Sequence, residues 1–154
     1  METIRPSQPW GDNSYFKMVD VGPKSATHRK AQAQGQIIMS QEAFLSLKNG
    51  KNPKGNVLAL AEVAGIMAAK KTAELIPLCH PLPLDQVRLR FQLNESSSSV
   101  TVFCEVSTFA KTGVEMEALS GVNGALLSIY DLSKAIDPVL SIQNVRLNVK
   151  EGGK

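Results

Sequence analysis

An aspartate and a lysine lie three residues apart in an otherwise apolar stretch near the end of the chain. Asp131 and Lys134 have neighbours such as Leu126, Leu127 and Leu132, and a spacing of three places two side chains on one face of a helix. On an exposed surface such an ion pair stabilises a protein by roughly a few tenths of a kcal/mol. In an apolar setting a lysine beside an aspartate can also transfer protons, so the pair is a candidate acid–base site.

A third charged residue, Lys54, precedes a second predicted helix. Gly55 and Asn56 follow it, and asparagine is a favoured N-cap residue. The free N–H groups and positive dipole at a helix start favour an anion, and a lysine there adds a full charge. A solvated lysine in a turn is the alternative interpretation. Lys70, at the other end of this helix, is the usual complement of the helix dipole.

His80, one of two histidines, lies between Cys79 and Pro81 in a segment that prolines hold extended. Such a rigid loop can aim an imidazole for acid–base catalysis or for hydrogen bonding to a nucleobase, and a buried structural histidine is equally open. A nucleophilic Cys–His pair is less favoured, because adjacent residues of an extended chain point apart. A zinc site would need two more ligands, drawn from His28, Cys104 or carboxylates.

Two glutamates begin the long apolar segment that contains Asp131. Glu115 and Glu117 follow the turn at 111–113, and carboxylates in a first turn commonly complement the helix dipole. Residues two apart project from different helix faces, so we expect at least one glutamate to face a cleft or a partner subunit. Lysines, an aspartate and a histidine together describe an acid–base site for a phosphorylated substrate.

The patterns of apolar residues predict the elements that carry these groups. We expect strands over 31–39, 87–93, 100–106 and 145–149, helices over 41–48, 57–71 and 114–136, and a further turn from Thr72 that Pro77 ends. This order indicates an α+β, ferredoxin-like fold, an antiparallel sheet with helices on one face. Gly121 and Gly124 lie inside the last helix, where each costs about 1 kcal/mol relative to alanine, which indicates close backbone packing.

Length and composition indicate one ordinary globular domain. The chain has 154 residues, 43% hydrophobic and 20% charged, which excludes a wholly disordered protein. We expect a flexible N-terminal tail over 1–16 and a single catalytic domain over 17–154. Two cysteines are too few for a disulfide framework. We find no secretory signal and no run of eighteen apolar residues, so we expect a cytoplasmic protein without a membrane partner.

Six stretches of the chain are distinctive in sequence. They are MVDV (18–21), KGNV (54–57), AGIMAAK (64–70), LIPLCHPL (75–82), KTGVEMEAL (111–119), and IYD with KA (129–131 and 134–135). In this order they resemble the cyclic pyranopterin monophosphate synthase family, the molybdenum cofactor biosynthesis protein C family. The resemblance covers the chain from about residue 17 to its end, and LIPLCHPL and KTGVEMEAL are highly specific.

The resemblance implies a lyase of molybdenum cofactor biosynthesis. Such an enzyme rearranges the nucleotide 3′,8-cyclo-7,8-dihydro-GTP to cyclic pyranopterin monophosphate and releases diphosphate, by proton transfers and displacements without redox chemistry. The resemblance also implies a ferredoxin-like subunit in a homohexamer, a trimer of dimers, with active sites where two subunits meet. We expect no metal site in the protein and no cofactor; a magnesium ion carried on the triphosphate is left open.

The matched motifs also imply roles for individual residues. They imply that Asp131 is the catalytic aspartate, that Lys134 is its acid–base companion and that Lys54 is the second catalytic lysine. They imply substrate contacts from Leu78, Cys79, His80, Met116 and Glu117. Further contributions are implied for Glu115, Asp20, Lys70 and Arg29, with the two cations directed at the triphosphate.

An RNA-binding module of ferredoxin-like fold is the alternative function that the residues leave open. A net charge of +3 and the predicted topology would allow it. An RNA-binding sheet needs exposed aromatic residues, however, and the strands offer only Phe91, Phe103 and Phe109, without an aromatic-rich RNP pattern. We therefore expect no nucleic-acid partner.

Overall fold

Four strands and four helices lie within residues 16–153, the part of the chain that the structure, a computed structural model, describes. The elements are β1 (Thr27–Ile38), α1 (Gln41–Lys48), α2 (Val57–Lys70), α3 (Thr72–Leu75), β2 (Gln86–Asn94), β3 (Ser99–Ala110), α4 (Glu115–Ser133) and β4 (Ser141–Glu151). The predicted tail over 1–16 lies outside the described residues, except for the exposed Phe16.

The four strands form one antiparallel sheet in the order β2-β3-β1-β4. β1 lies inside the sheet and pairs with β3 from Thr27 opposite Ala110 to Ile38 opposite Ser99. The helices α2 and α4 pack against each other, α4 packs on β1 and β3, and α2 packs on β2. This arrangement confirms the predicted α+β, ferredoxin-like fold.

Alternating burial along β1 and β3 places the core on one face of the sheet. The fully buried side chains include Ile37 of β1, Val102 of β3 and, on the covering helix α4, Val122, Leu126 and Ile129. Burying one such side chain stabilises the fold by roughly 1.5–3 kcal/mol. The apolar contact between α4 and the sheet therefore fixes the position of both ends of α4.

The predicted helix starts are confirmed by their capping hydrogen bonds. The Ser40 hydroxyl accepts a hydrogen bond of 3.1 Å from the backbone N–H of Ala43 at the start of α1. The Asn56 side chain accepts one of 3.1 Å from the N–H of Ala59 at the start of α2. Each cap satisfies one of the N–H groups that a helix start leaves unpaired.

The prediction of close backbone packing at the α4 glycines is also confirmed. A Cβ atom at Gly121 would collide with the Cys104 sulfur, and one at Gly124 would lie 2.5 Å from the Cβ of Ala68 in α2. A Cβ at Gly65 of α2 would lie 2.9 Å from the carbonyl oxygen of Gly121. The two helices therefore touch through their backbones.

The predicted bounds of four elements are wrong. β3 continues to Ala110 rather than ending at 106. β1 begins at Thr27 rather than 31, because Arg29 is buried through hydrogen bonds to backbone carbonyls instead of through apolar contacts. α4 ends at Ser133 rather than 136, because the Asp137 carboxylate accepts hydrogen bonds from the N–H groups of Ser40 and Val139 and so draws the chain into a turn. β4 spans Ser141–Glu151 rather than 145–149. Most of its residues are exposed, so it lacks the alternation that marks a strand.

Candidate functional site

Three charged residues meet where α4 ends and α2 begins. Lys134 Nζ lies 2.7 Å from Asp131 Oδ1, and the two side chains are 55% and 61% exposed, so a ligand can reach them. The hydrogen bond and charge of Lys134, followed by the charge of Lys54, hold the pKa of the Asp131 carboxyl below its usual range. The same hydrogen bond and the charge of Asp131 raise the pKa of Lys134. At neutral pH Asp131 is therefore a carboxylate that can accept a proton, and Lys134 an ammonium group that can donate one.

A second group of predicted residues lies at the start of α4. Glu117 is buried, and its Oε2 lies 3.7 Å from the Cys79 sulfur, which donates to it. Burial raises the pKa of Glu117. Burial, followed by the charge of Glu117, raises the pKa of the Cys79 thiol to about 11. A thiol that stays neutral at pH 7 is a poor nucleophile, which argues against the nucleophilic Cys–His pair.

His80 has a fixed orientation beside this group. Its Nε2 lies 2.7 Å from the carbonyl oxygen of Val19. A carbonyl can only accept, so Nε2 carries a proton, and in the neutral ring Nδ1 is left as an acceptor. The imidazole therefore presents Nδ1 for a hydrogen bond with a ligand.

A cavity of about 390 Å³ opens next to His80. Its lining includes four predicted residues: Leu78, His80, Glu115 and Arg29. Glu115 Oε1 pairs with Lys150 Nζ at 3.3 Å, while its Oε2 is buried and has no partner in the described part of the chain. The expectation that one of the two glutamates faces a cleft is therefore confirmed.

Arg29 is a buried cation on the wall of this cavity. Its Nε donates to the carbonyl oxygen of Ala110 at 3.3 Å and its Nη2 to that of Lys111 at 3.0 Å. No carboxylate of residues 16–153 lies within 4 Å of its guanidinium group. A buried charge without a counter-charge is costly, so the cavity favours an anionic ligand.

Three predicted contributors lie apart from the cavity lining. Lys70 lines a separate groove of about 330 Å³ between the end of α2 and the start of β2. The Asp20 carboxylate accepts a hydrogen bond of 2.8 Å from the N–H of Gly22, which forms an exposed turn. Met116 is half-buried in the first turn of α4.

The zinc alternative finds no support in the fold. Cys104 lies in the core beneath α4, where burial raises the pKa of its thiol to about 12. The His28 ring packs against Phe109, with ring centres 5.1 Å apart. Within residues 16–153, no group of three or more His, Cys, Asp or Glu side chains could hold a metal ion.

Apart from Lys70 and Asp20, the predicted site residues thus form two groups, one at each end of α4. Glu117 lies in the first turn of this helix and Asp131 in its last turn. Fourteen residues at about 1.5 Å each place them about 21 Å apart along the helix axis. One chain by itself does not bring the two groups into a single pocket.

Comparison with known proteins identifies the family. Residues 18–153 match the model of the MoaC family. The chain belongs to the MoaC family. This confirms the resemblance drawn from the motifs and the prediction of an enzyme, a lyase of molybdenum cofactor biosynthesis.

Several MoaC relatives carry the name cyclic pyranopterin monophosphate synthase. The chain is 50% identical to that of Heliobacterium modesticaldum over 138 residues, covering 90% of this chain and 87% of the relative. It is 51% identical to that of Clostridium botulinum over 137 residues, covering 89% and 86%. It is 49% identical to that of Chloroflexus aurantiacus over 140 residues, covering 91% and 86%.

In this member of the MoaC family, two cations that line the cavity were not predicted from the sequence. Lys24 is the last residue of a turn, in which its backbone N–H donates to the carbonyl oxygen of Val21. Lys150 lies near the end of β4. Neither position carries a local sequence signal. Only the three-dimensional fold brings them to Arg29.

The described helices and strands bear on two further expectations. None of the helices within residues 16–153 is long and apolar enough to cross a membrane. Of the three strand phenylalanines, Phe91 packs against the core, Arg90 lies over the Phe103 ring at 5.1 Å, and Phe109 is exposed. Phe91 therefore lies on the core side of the sheet, whereas Phe103 and Phe109 lie on its other side.

Proposed function

We propose that two copies of this chain together form an active site that converts 3′,8-cyclo-7,8-dihydro-GTP to cyclic pyranopterin monophosphate and diphosphate. One copy supplies Lys54, Asp131 and Lys134, and its neighbour supplies the cavity beside His80. The observation that carries the proposal is the carboxylate of Asp131 in contact with one ammonium group and within the field of a second. The name of the similar MoaC relatives supports the choice of product.

The proton transfers are assigned to the acid–base group. As the cyclic phosphate forms, a hydroxyl oxygen of the substrate attacks the α-phosphorus and the bond from this phosphorus to the diphosphate breaks. The hydroxyl proton passes to a base and the leaving group gains cationic stabilisation. Asp131 acts as base and Lys134 as acid, because the pKa of the carboxyl is lowered and that of the ammonium group is raised. Lys54 acts through its charge, which also reaches Asp131.

The triphosphate occupies the cationic side of the cavity. Among the described residues, three cations (Arg29, Lys24 and Lys150) and one carboxylate (Glu115) line it, so its balance of charge suits a polyanion. Arg29 in addition lacks a counter-charge within the described residues. A bound triphosphate would supply that charge and would gain charge-assisted hydrogen bonds. Lys70, which lines a separate groove, is a fourth cation proposed for the triphosphate.

The purine-derived ring is assigned to the residues around the start of α4. Leu78, Cys79, His80 and Met116 contact it, and Glu117 offers a buried Oε1 that has no partner among the described residues. A buried oxygen of this kind normally accepts a hydrogen bond, and a ring N–H group of the substrate can donate it. Asp20 adds its contribution from the segment before β1.

The assembly is a homohexamer, a trimer of dimers, built from a single catalytic domain over 17–154. Exposed apolar residues on α2 support an assembly, because Leu60, Val63 and Met67 lie on helical spacing and are 44–54% exposed. Contiguous apolar surface of this kind commonly marks a protein interface.

We place the enzyme in the cytoplasm, where Cys79 and Cys104 would remain free thiols.

The test is turnover of the cyclised nucleotide by the purified protein. We expect diphosphate release and a product with the mass of cyclic pyranopterin monophosphate. Asp131→Asn and Lys134→Ala should each lose activity by about 10²-fold or more, because each removes a proton-transfer group. Lys48→Ala is the matched control, since it breaks an exposed ion pair of 2.8 Å with Glu95 outside both groups. Inert wild-type protein would refute the proposed function.

A further inference from the structure

The segment between α1 and α2 carries Lys54 but has no regular secondary structure. Residues 49–56 pass through two glycines with positive φ angles, Gly50 at 67° and Gly55 at 122°. Lys54 therefore lies in a loop whose conformation must be fixed by contacts outside a helix or strand. One buried side chain of the loop makes such contacts.

That side chain is Asn52, which is 8% exposed. Its Oδ1 accepts a hydrogen bond of 2.9 Å from the backbone N–H of Lys54. Its Nδ2 donates one of 2.7 Å to the backbone carbonyl of Leu132. A single rigid amide group therefore joins the backbone of Lys54 to the last turn of α4.

The position of Leu132 gives this link its significance. Leu132 lies between Asp131 and Lys134, and carbonyls in the last turn of a helix lack partners within the helix. The neighbouring carbonyls of Tyr130 and Ser133 accept backbone N–H groups at 2.9–3.0 Å. The side chain of Asn52 provides the Leu132 carbonyl with a partner that spans 80 residues of sequence.

We propose that Asn52 is a positioning residue that holds Lys54 at its working distance from the Asp131–Lys134 pair. This inference rests on the proposed function of that pair. Without the link the loop keeps its glycine turns but loses its connection to α4. A displacement of about 1 Å at a catalytic group can cost about 10²-fold in rate.

Asn52→Ser and Asn52→Ala test the link. The serine hydroxyl can still accept from the N–H of Lys54, as in an ST turn, but it is too short to reach Leu132 as well. Ser40→Ala is the matched control, because it removes a helix cap outside the site and therefore also lowers stability. We expect kcat to fall about 10–100-fold in both Asn52 variants, with KM changed less than about threefold, and to stay unchanged in Ser40→Ala.

A second measurement follows the position of Lys54 directly. The Asp131 carboxyl is titrated by carbon-13 NMR in the wild type, in Asn52→Ser and in Lys54→Ala. The charged groups that act on this carboxyl are Lys134, directly after α4, and Lys54 on the loop. Loss of the link should move the Asp131 pKa upward, toward its value in Lys54→Ala, and Ser40→Ala should leave it unchanged.

The two measurements separate the inference from the proposed function. If Asn52→Ser leaves either kcat or the Asp131 titration at its wild-type value, Asn52 is not a positioning residue, whatever the wild type catalyses. If the wild type fails to turn over the nucleotide, the proposed function is wrong. In that case the Asp131 titration alone decides whether Asn52 holds Lys54 in place.

Discussion

Two inactive variants of this protein should restore activity when they assemble together. Lys134→Ala disables the acid–base group at the end of α4, and His80→Ala disables the cavity at its start. These groups are about 21 Å apart along the helix, and the proposed site combines one group from each of two chains. Mixed oligomers should therefore contain some sites in which both groups are intact.

The expected recovery follows from the division of the site. With equal amounts of the two chains and random assembly, half of the acid–base groups and half of the cavities are wild type. About one quarter of the sites then combine two intact groups, which gives about 25% of wild-type activity. If each chain formed its own complete site, every site would contain one defect and no activity would return.

The assay requires defined mixed oligomers. The two variants are co-expressed with different affinity tags, purified over both tags in sequence, and assayed for diphosphate release. The background rate of diphosphate release is measured in two controls. One is each variant alone, and the other is a mixture of separately assembled oligomers whose subunits do not exchange. Activity at that background in the doubly purified sample would refute the shared site.

Three further predictions concern thiol reactivity and stability. The rate at which Cys79 reacts with iodoacetamide should rise about tenfold for each pH unit between pH 7 and 10, because the pKa of its thiol is about 11 and only the thiolate reacts. Glu117→Gln should speed the reaction, because it removes a charge that raises this pKa. An unchanged rate in this variant would contradict the contact between Glu117 and Cys79. Asp137→Asn should lower the free energy of unfolding at pH 7 by roughly 1–3 kcal/mol, because the buried carboxylate accepts two backbone N–H groups. The pKa of the Asp137 carboxyl is lower in the folded state than in the unfolded state, so its stabilisation is present at neutral pH and is lost as the pH falls through the lowered pKa. Urea unfolding at pH 7 and pH 3 should therefore show that the difference in unfolding free energy between wild type and Asp137→Asn shrinks in acid. Gly124→Ala should destabilise by roughly 1–3 kcal/mol, because its Cβ would lie 2.5 Å from a Cβ of α2, whereas the exposed Asn123→Ala should change thermal unfolding little.

The sequence predicted those elements whose hydrophobic pattern reflects local geometry. The alternation over 87–93 and 100–106 identified β2 and β3, because one face of each strand packs on the core. Ser40 and Asn56 marked helix starts, because a cap needs only a side chain and a nearby N–H. Both signals depend on residues close in sequence.

Features that depend on distant residues could not be predicted in this way. The true start of β1 depends on Arg29 bonding to carbonyls 81 and 82 residues away. The true end of α4 depends on Asp137 bonding to Ser40, 97 residues away. A local pattern in the chain contains neither partner.

The candidate site shows the same division. The motifs pointed to Asp131, Lys134 and Lys54, whose residue types suit acid–base chemistry, and the fold brings them together. The motifs did not indicate Lys24, Lys150 or Asn52, because a turn lysine, a strand lysine and a loop asparagine are common surface residues. The division of the site into two groups could likewise be recognised only from the direction and length of α4 in the structure.

The length of α4 sets the distance and the angle between the two groups at its ends. Inserting or deleting one residue between Glu117 and Asp131 would turn one end of the helix by about 100° relative to the other and slide it by about 1.5 Å. Such a change would also displace Gly121 or Gly124 from the contact with α2. We therefore expect this geometry to fix the number of residues between Glu117 and Asp131.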